Sequence, residues 1–336
     1  VSTPKHFAIY GVPAGGRDCE SRTDPHATPQ EVHELHLEPF RIAFQEAGAL
    51  GTMCAHNDYN GTPVSASHYL MTELMRNQWG FKGYIVSDSW SISKNVDFYH
   101  IVSTPEEAVA SELNAGLNIR TFFEESEVFI KTLRNALKKG LVTESTLDQR
   151  VREVLYVKFW LGLFDQPYVK DTKLADRVVS SDRNREVSLR AARESIVLLK
   201  NENNTLPVRE GETVSVFGRI QFTYYKSGTG SGGLVNTRYV TGILDALRAE
   251  GSIRVNEELA GVYEAWCAEH PFDKGKGWGQ EPWSQEEMPL DDKTAARAAQ
   301  VSDAALVIIG RTAGEDQDTK AEPGSYLLTD KEKAMI

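Results

Sequence analysis

Gly83-Tyr84-Ile85-Val86-Ser87-Asp88-Ser89 is the stretch that decides the fold class. Tyr84, Ile85 and Val86 make a short apolar run of the kind buried on both faces in a parallel sheet, and the polar Ser87-Asp88-Ser89 follows at its carboxyl end. In barrels and doubly wound sheets the chemistry sits at that end of the strands. Asp88 is therefore the first candidate catalytic group, and the competing local reading is a carboxylate that caps the next helix.

The same alternation extends outward from this strand. Further strands are expected at His6 to Tyr10, Leu50 to Ala55 and Asn118 to Phe123, each ending in a polar or glycine-rich loop. Helices are expected at Thr28 to Ala47, Ala66 to Gln78, Glu125 to Lys139 and Ser145 to Leu161. Another opens at Thr104-Pro105-Glu106-Glu107, where a capping threonine, a proline at the first helical position and a glutamate at the third agree. In the last of the four helices Val151, Val154, Leu155, Lys158 and Phe159 fall at helical spacing. Repeated β-then-α units imply a parallel sheet. Only four barrel-type strands are present where a closed barrel has eight, so the first domain, 1–165, reads as the carboxyl-terminal part of something larger. A polar linker over 166–190 leads to a second α/β domain, 191–336. That domain opens with a helix through Ala191 to Leu199. Its strands are expected at Thr213 to Gly218, Ile253 to Asn256 and Ala304 to Gly310, and its helices at Thr241 to Glu250 and Asp292 to Val301. The chain stops inside a helical pattern at Ile336, so this domain is expected to be incomplete as well.

Composition narrows the functions. The 336 residues are 40% hydrophobic and 25% charged, an ordinary globular balance. A formal net charge of −11 with no Lys/Arg cluster argues against nucleic acid as a partner and favours a neutral or cationic small substrate. Cys19, Cys54 and Cys267 are too scattered for a disulfide framework or a thiolate zinc site. No run approaches the ~18 apolar residues that span a bilayer, so no membrane partner is expected.

Several constellations carry chemistry. Lys5-His6 and Gly15-Gly16-Arg17 lie at the start of the first strand and in the loop after it; their donors match the hydroxyl edge of a sugar, and the plain alternative is a solvated strand end with Arg17 paired to Asp18 or Glu20. The loop Arg311-Thr312-Ala313-Gly314-Glu315-Asp316-Gln317-Asp318 leaves an apolar strand with three carboxylates in four positions. Crowded carboxylates raise one another's pKa, as a general acid working near neutrality requires; the plain alternative is a solvated acidic loop. A nucleophilic carboxylate on one domain and an acid on another make the pair used in glycoside hydrolysis. Gly228-Thr229-Gly230-Ser231-Gly232-Gly233 matches a dinucleotide fingerprint in letters. Its context is wrong, because the preceding strand ends ten residues too early and no helix starts at the glycines. A loop that lets backbone come close to a ligand or to another segment fits better.

Taken together, these residues resemble the glycoside hydrolase family 3 β-glucosidases and their β-xylosidase and exo-glucanase relatives. The resemblance runs through Lys5-His6-Phe7 with Gly16-Arg17, Gly48-Ala49, Met53-Cys54-Ala55-His56-Asn57, Trp79-Gly80-Phe81-Lys82-Gly83-Tyr84, Val86-Ser87-Asp88 and Ala115-Gly116-Leu117. It continues in Glu194-Ser195-Ile196-Val197-Leu198-Leu199-Lys200-Asn201 and Gly314-Glu315. It implies a TIM-like barrel followed by an α/β sandwich, and a retaining, exo-acting hydrolase that releases a β-linked sugar, glucose first, from the non-reducing end of oligosaccharides or glycosides. Asp88 is then the nucleophile and Glu315 the acid/base. Lys5, His6, Arg17, His56, Ser89 and Trp90 would bind the sugar, with no metal or organic cofactor.

Departures from the family pattern open alternatives. His56 stands where many relatives have tyrosine, and Ser89 with Trp90 stands where tryptophan often follows the nucleophile directly, so a pentoside such as a xyloside rivals glucose. Asn118-Ile119-Arg120 is less acidic than usual there. Strands that precede Lys5-His6 in the family are missing, so the expected partners are the glycoside and a remaining segment of the same enzyme that completes the barrel. A non-catalytic carbohydrate-binding relic is the alternative from another class. Asp24-Pro25-His26 gives a foothold to the acid/base dyad of a β-N-acetylglucosaminidase subgroup. Periplasmic or secreted location is a family-level expectation, and a homo-oligomer is left open.

Overall fold

The structure is a computed structural model and describes residues 1–10, 23–121, 125–166, 169–233, 235–237, 239–277, 279–314 and 319–336. The chain divides into two compact units, Val1–Val187 and Ser188–Ile336. Both are α/β and each is built on a three-stranded parallel sheet.

In the first unit a helical run over residues 29–46, α1, starts from a Thr28/Glu31 capping box and alternates α and π turns. Strand β1 (Gly51–Met53) follows, then a small hairpin of β2 (Asp58–Tyr59) and β3 (Thr62–Pro63), and helix α2 (Tyr69–Gln78), wound in π turns. The deciding stretch forms β4 (Tyr84–Ser89), and α3 (Ser91–Asp97) begins three residues after Asp88. Next come α4 (Pro105–Ala115), which has the full Thr104/Glu107 capping box, then β5 (Ile119–Thr121), α5 (Ser126–Lys138) and α6 (Glu144–Trp160). The sheet order is β1-β4-β5, with Thr52 opposite Ile85 and Val86 opposite Ile119.

The core explains the order. Ile85 is fully buried, and Leu70, Met71, Leu74 and Met75 of α2 pack with it against Phe7, Phe44, Phe81 and Leu117. Truncating one such side chain to alanine costs about 2–5 kcal/mol. Only glycine fits at position 83, because a Cβ there would collide with the Leu50 carbonyl that enters β1. Asn118 ties three elements together. Its Oδ1 accepts from Ile85 N–H at 2.8 Å and from Arg76 Nη2 at 2.8 Å, and its Nδ2 donates to Arg150 O at 2.9 Å and Glu153 Oε2 at 2.6 Å. The residue that departs from the family pattern is thus a framework group.

The first expected strand is corrected. Only Phe7 bridges, in parallel, to Cys54; Phe7 N–H donates to Met53 O at 2.8 Å and Ala55 N–H to Phe7 O at 2.7 Å. The backbone then turns away, with Ile9 at φ 68°. Residues 122–124 of the last expected strand lie outside the described residues. The expected linker is also not featureless: α7 (Thr172–Val178) and α8 (Asp182–Ser195) occupy most of it, and α8 ends before the apolar Ile196–Leu199 run. On α6 the helical spacing is present, but Val151, Leu155 and Phe159 are exposed.

The second unit orders its sheet β7-β6-β8 from β6 (Thr213–Phe217), β7 (Arg254–Val255) and β8 (Ala304–Val307). Helices α9 (Ile243–Glu250), α10 (Glu257–Glu269), α11 (Asp292–Val301) and α12 (Asp330–Met335) surround it. The sequence reading missed α10, although Asn256 caps it through Leu259 N–H and Leu259 and Tyr263 supply its buried face. Among the described residues no helix is long and apolar enough to cross a membrane.

Candidate active site

Asp88 is the penultimate residue of β4, where the parallel sheet delivers side chains to its carboxyl end. Its side chain is 18% exposed, so the carboxylate is held but reachable. Two imidazoles face the same oxygen: His6 Nε2 lies 3.5 Å and His56 Nε2 3.6 Å from Asp88 Oδ2. Ser89 N–H donates to the other oxygen, Oδ1, at 2.7 Å. Three segments therefore converge on one carboxyl group: the bridge at Phe7 brings in His6, the end of β1 leads to His56, and β4 supplies Asp88 itself.

The electrostatics of His56 follow from burial. Desolvation, aided by the Lys94 charge, pushes its pKa down to about 3, so the ring is neutral at physiological pH. A neutral ring offers Asp88 a dipole or an N–H and brings no full charge to it. Tyr10 completes the wall, its ring set edge-on to His6 at 4.9 Å and to His56 at 6.4 Å between centroids. Tyr99, 4% exposed, donates its hydroxyl to His56 O at 3.0 Å.

Of the residues expected from sequence, His6, His56, Asp88 and Ser89 come together. Lys5 is exposed beside His6. Trp90 is 43% exposed and takes a left-handed conformation, φ 60°, between β4 and α3. Arg17 and Glu315 lie outside the described residues. Tyr10 and Tyr99 were missed. Tyr10 shared an expected strand with His6 and was legible in principle, whereas Tyr99 is 43 residues from its partner and carried no local signal.

Asp24 and His26 face each other, His26 Nδ1 lying 3.7 Å from Asp24 Oδ1. Asp24 Oδ1 accepts from Asn60 N–H at 3.3 Å, holding the β2–β3 turn, and the His26 side chain is 83% exposed. Among the described residues no group of three or more His, Cys, Asp and Glu is arranged to hold a metal ion.

The glycine-rich segment has a structural use in the second unit. Thr229 bridges Gly314 in parallel and its N–H donates to Ala313 O at 2.8 Å. A Cβ on Gly228 would meet the Ala313 carbonyl oxygen, and one on Gly314 would meet Thr229 Oγ1. Backbone lies against backbone there, and the residues immediately before Glu315 are pinned. The four residues Gly230–Gly233 form one tight 3-10 turn, and among the described residues the next helix is α9, which starts at Ile243, ten residues past Gly233.

The fold and site define an α/β protein with a carboxylate–imidazole centre at its parallel strand ends. Residues 1–157 match the glycosyl hydrolase family 3 N-terminal domain and residues 196–336 the glycosyl hydrolase family 3 C-terminal domain. A β-glucosidase of Ruminococcus albus is 57% identical over 143 residues, 43% of this chain and 15% of its own. A β-xylosidase of Formosa agariphila is 30% identical over 95% of this chain and 43% of its own. The solved structure of β-glucosidase 3B from Thermotoga neapolitana in complex with α-D-glucose superposes on 98% of this chain and 44% of its own, with a TM-score of 0.76 and 26% identity. The chain belongs to glycosyl hydrolase family 3 and spans less than half the length of each of these relatives.

Proposed function

We propose that this chain supplies the nucleophile and the acid/base of a retaining, exo-acting β-glycosidase. The observation that carries the reading is Asp88: a reachable carboxylate at a parallel strand end, faced by His6 and His56 through one oxygen and tied by Ser89 N–H through the other. In this reading residues 1–165 are part of a TIM-like barrel, and 191–336 belong to an α/β sandwich that carries Glu315.

The chemistry follows from two carboxyl groups. Asp88 attacks the anomeric carbon, the bond from that carbon to the leaving oxygen breaks, and Glu315 gives its proton to that oxygen. Water then attacks the glycosyl-enzyme while Glu315, now a carboxylate, takes the proton, and the sugar leaves with its configuration retained. The two carboxyl groups would stand ~5–5.5 Å apart during the reaction. His6 and His56 hold Asp88 in one orientation, and Lys5, Arg17, Ser89 and Trp90 bind the sugar. Neither a metal nor an organic cofactor enters the steps. The substrate is a β-glucoside, as the name of the R. albus relative supports. A β-xyloside is the second reading, supported by the F. agariphila β-xylosidase that aligns along 95% of this chain.

The test is peptide mass spectrometry of the full native chain after incubation with activated 2-deoxy-2-fluoro-β-glucoside and the matching xyloside. A covalent sugar on Asp88 is expected, and the better reagent identifies the substrate class. Hydrolysis of the unfluorinated glycosides with Asp88 unlabelled overturns the assignment, and sugar binding without turnover points to a carbohydrate-binding role.

A further inference from the structure

Asp88 and His56 are held from behind by a single short segment. Ser91, the first residue of α3, donates its hydroxyl to Asp88 O at 3.1 Å. Tyr99, two residues past the end of α3, donates to His56 O at 3.0 Å. The segment thus grips the backbone of both partners in the carboxylate–imidazole contact, one at each end.

The middle of the segment is anchored elsewhere. Asn95, 1% exposed, donates Nδ2–H to Glu112 Oε1 of α4 at 2.8 Å, and Glu112 is fully buried. Ser65 is a second hydrogen-bond partner of Glu112. The Asn95 carbonyl accepts from Ile101 N–H at 2.9 Å and Val102 N–H at 3.3 Å, which closes the turn that carries Tyr99. The thiol of Cys54, fully buried, meets the Asp88 N–H and the Ser91 hydroxyl beneath the strand end. Burial pushes the Glu112 carboxyl up to about 8, so it sits there protonated and neutral at physiological pH. A carboxyl in an apolar core is costly, and an aliphatic side chain would fill the space at less cost while leaving Asn95 without its acceptor.

We propose that Glu112, acting through Asn95, is a positioning residue that fixes α3 and thereby the spacing of Asp88 from His56. The inference rests on the reading of Asp88 as nucleophile and names a residue remote from the sugar that the reaction needs. A buried acceptor displaced by about 1 Å is enough to cost a reaction ~100-fold through misalignment. The effect belongs in the bond-forming step and not in sugar affinity.

The experiment measures the rate constant and the affinity of inactivation by the 2-deoxy-2-fluoro glycoside in the full native chain, with melting temperature as the control for folding. Glu112→Leu is expected to slow inactivation ~10–100-fold with affinity changed less than ~3-fold. Glu112→Gln keeps an acceptor for Asn95 and is expected to return the rate to within ~3-fold of native. Tyr99→Phe, a one-atom change, is expected to slow inactivation ~3–10-fold and serves where Glu112→Leu fails to fold. Native rates in Tyr99→Phe, or in a folded Glu112→Leu, overturn the inference, as does equal impairment by Leu and Gln. If the native chain itself takes no label on Asp88, the proposed function falls and this inference with it. A labelled native chain with unaffected variants removes the inference alone.

Discussion

His56 Nε2 lies 3.6 Å from Asp88 Oδ2, and the two residues reach each other from the ends of adjacent parallel strands. The ring is buried and neutral, so its contribution to Asp88 is orientation and polarity in place of charge. Replacing it with alanine removes one wall of the site, and kcat is expected to fall about 10–100-fold in the full native chain. Steady-state kinetics read this directly, and an unchanged kcat would separate His56 from the chemistry.

The same burial sets an acid limit on stability. The His56 pKa is lowered from 6.5 to about 3 in the folded chain. Between those values the unfolded state takes up a proton that the folded state refuses, so stability is lost as pH falls from 6.5 toward 3. His56→Asn is expected to flatten that slope by up to a few kcal/mol, measured by urea melts at pH 4 and pH 7. A slope equal to native would show that the ring is charged in the folded chain.

Glu112 acts in the opposite direction. Its pKa is raised from 4.5 to about 8, so the folded state holds a proton that the unfolded chain releases. Its contribution is fully present below 4.5 and is lost as pH rises to about 8. Glu112→Gln removes the titrating group, and its unfolding free energy is expected to vary less than native between pH 5 and pH 8.5. Parallel native and variant curves would place the carboxyl in water.

Asn118→Ala deletes an acceptor used by Ile85 N–H and Arg76 and a donor used by Arg150 O and Glu153. The orphaned groups are part-buried, and the cost is expected at about 2–4 kcal/mol. Asn118→Asp keeps the acceptor but brings a negative charge beside Glu153, so it is expected to be destabilised as well. Thermal melts of the two variants check both.

Gly228→Ala tests the bracket in the second unit. The added methyl group meets the Ala313 carbonyl, which accepts from Thr229 N–H at 2.8 Å. Protection of the Thr229 amide in hydrogen exchange is expected to drop by at least ~10-fold, the loss of one buried hydrogen bond. Native protection would mean that the glycine is there for another reason.

The parallel α/β character, the deciding strand, the Thr104 capping box and the choice of Asp88 and His56, which the fold brings together, were legible from sequence, because each is written in local pattern or motif. Helix α10 was legible too and was passed over, since its capping Asn256 was absorbed into a strand. The strand expected at His6 to Tyr10 failed because an alternating pattern does not report where the backbone turns, and the turn at Ile9 leaves only Phe7 in the sheet. Local pattern also described Asn118 as a departure from a motif, when its meaning lies in groups from α2, β4 and α6 that meet around one amide. By itself the sequence determined the class of fold and singled out Asp88 as the carboxylate for the proposed chemistry. Only tertiary structure decided which groups face that carboxylate, that Glu112 and Tyr99 stand behind it, and that the glycine-rich run braces the loop at Ala313 and Gly314. Burial and hydrogen bonding join residues from segments far apart in the chain, and those contacts exist only once the chain has folded.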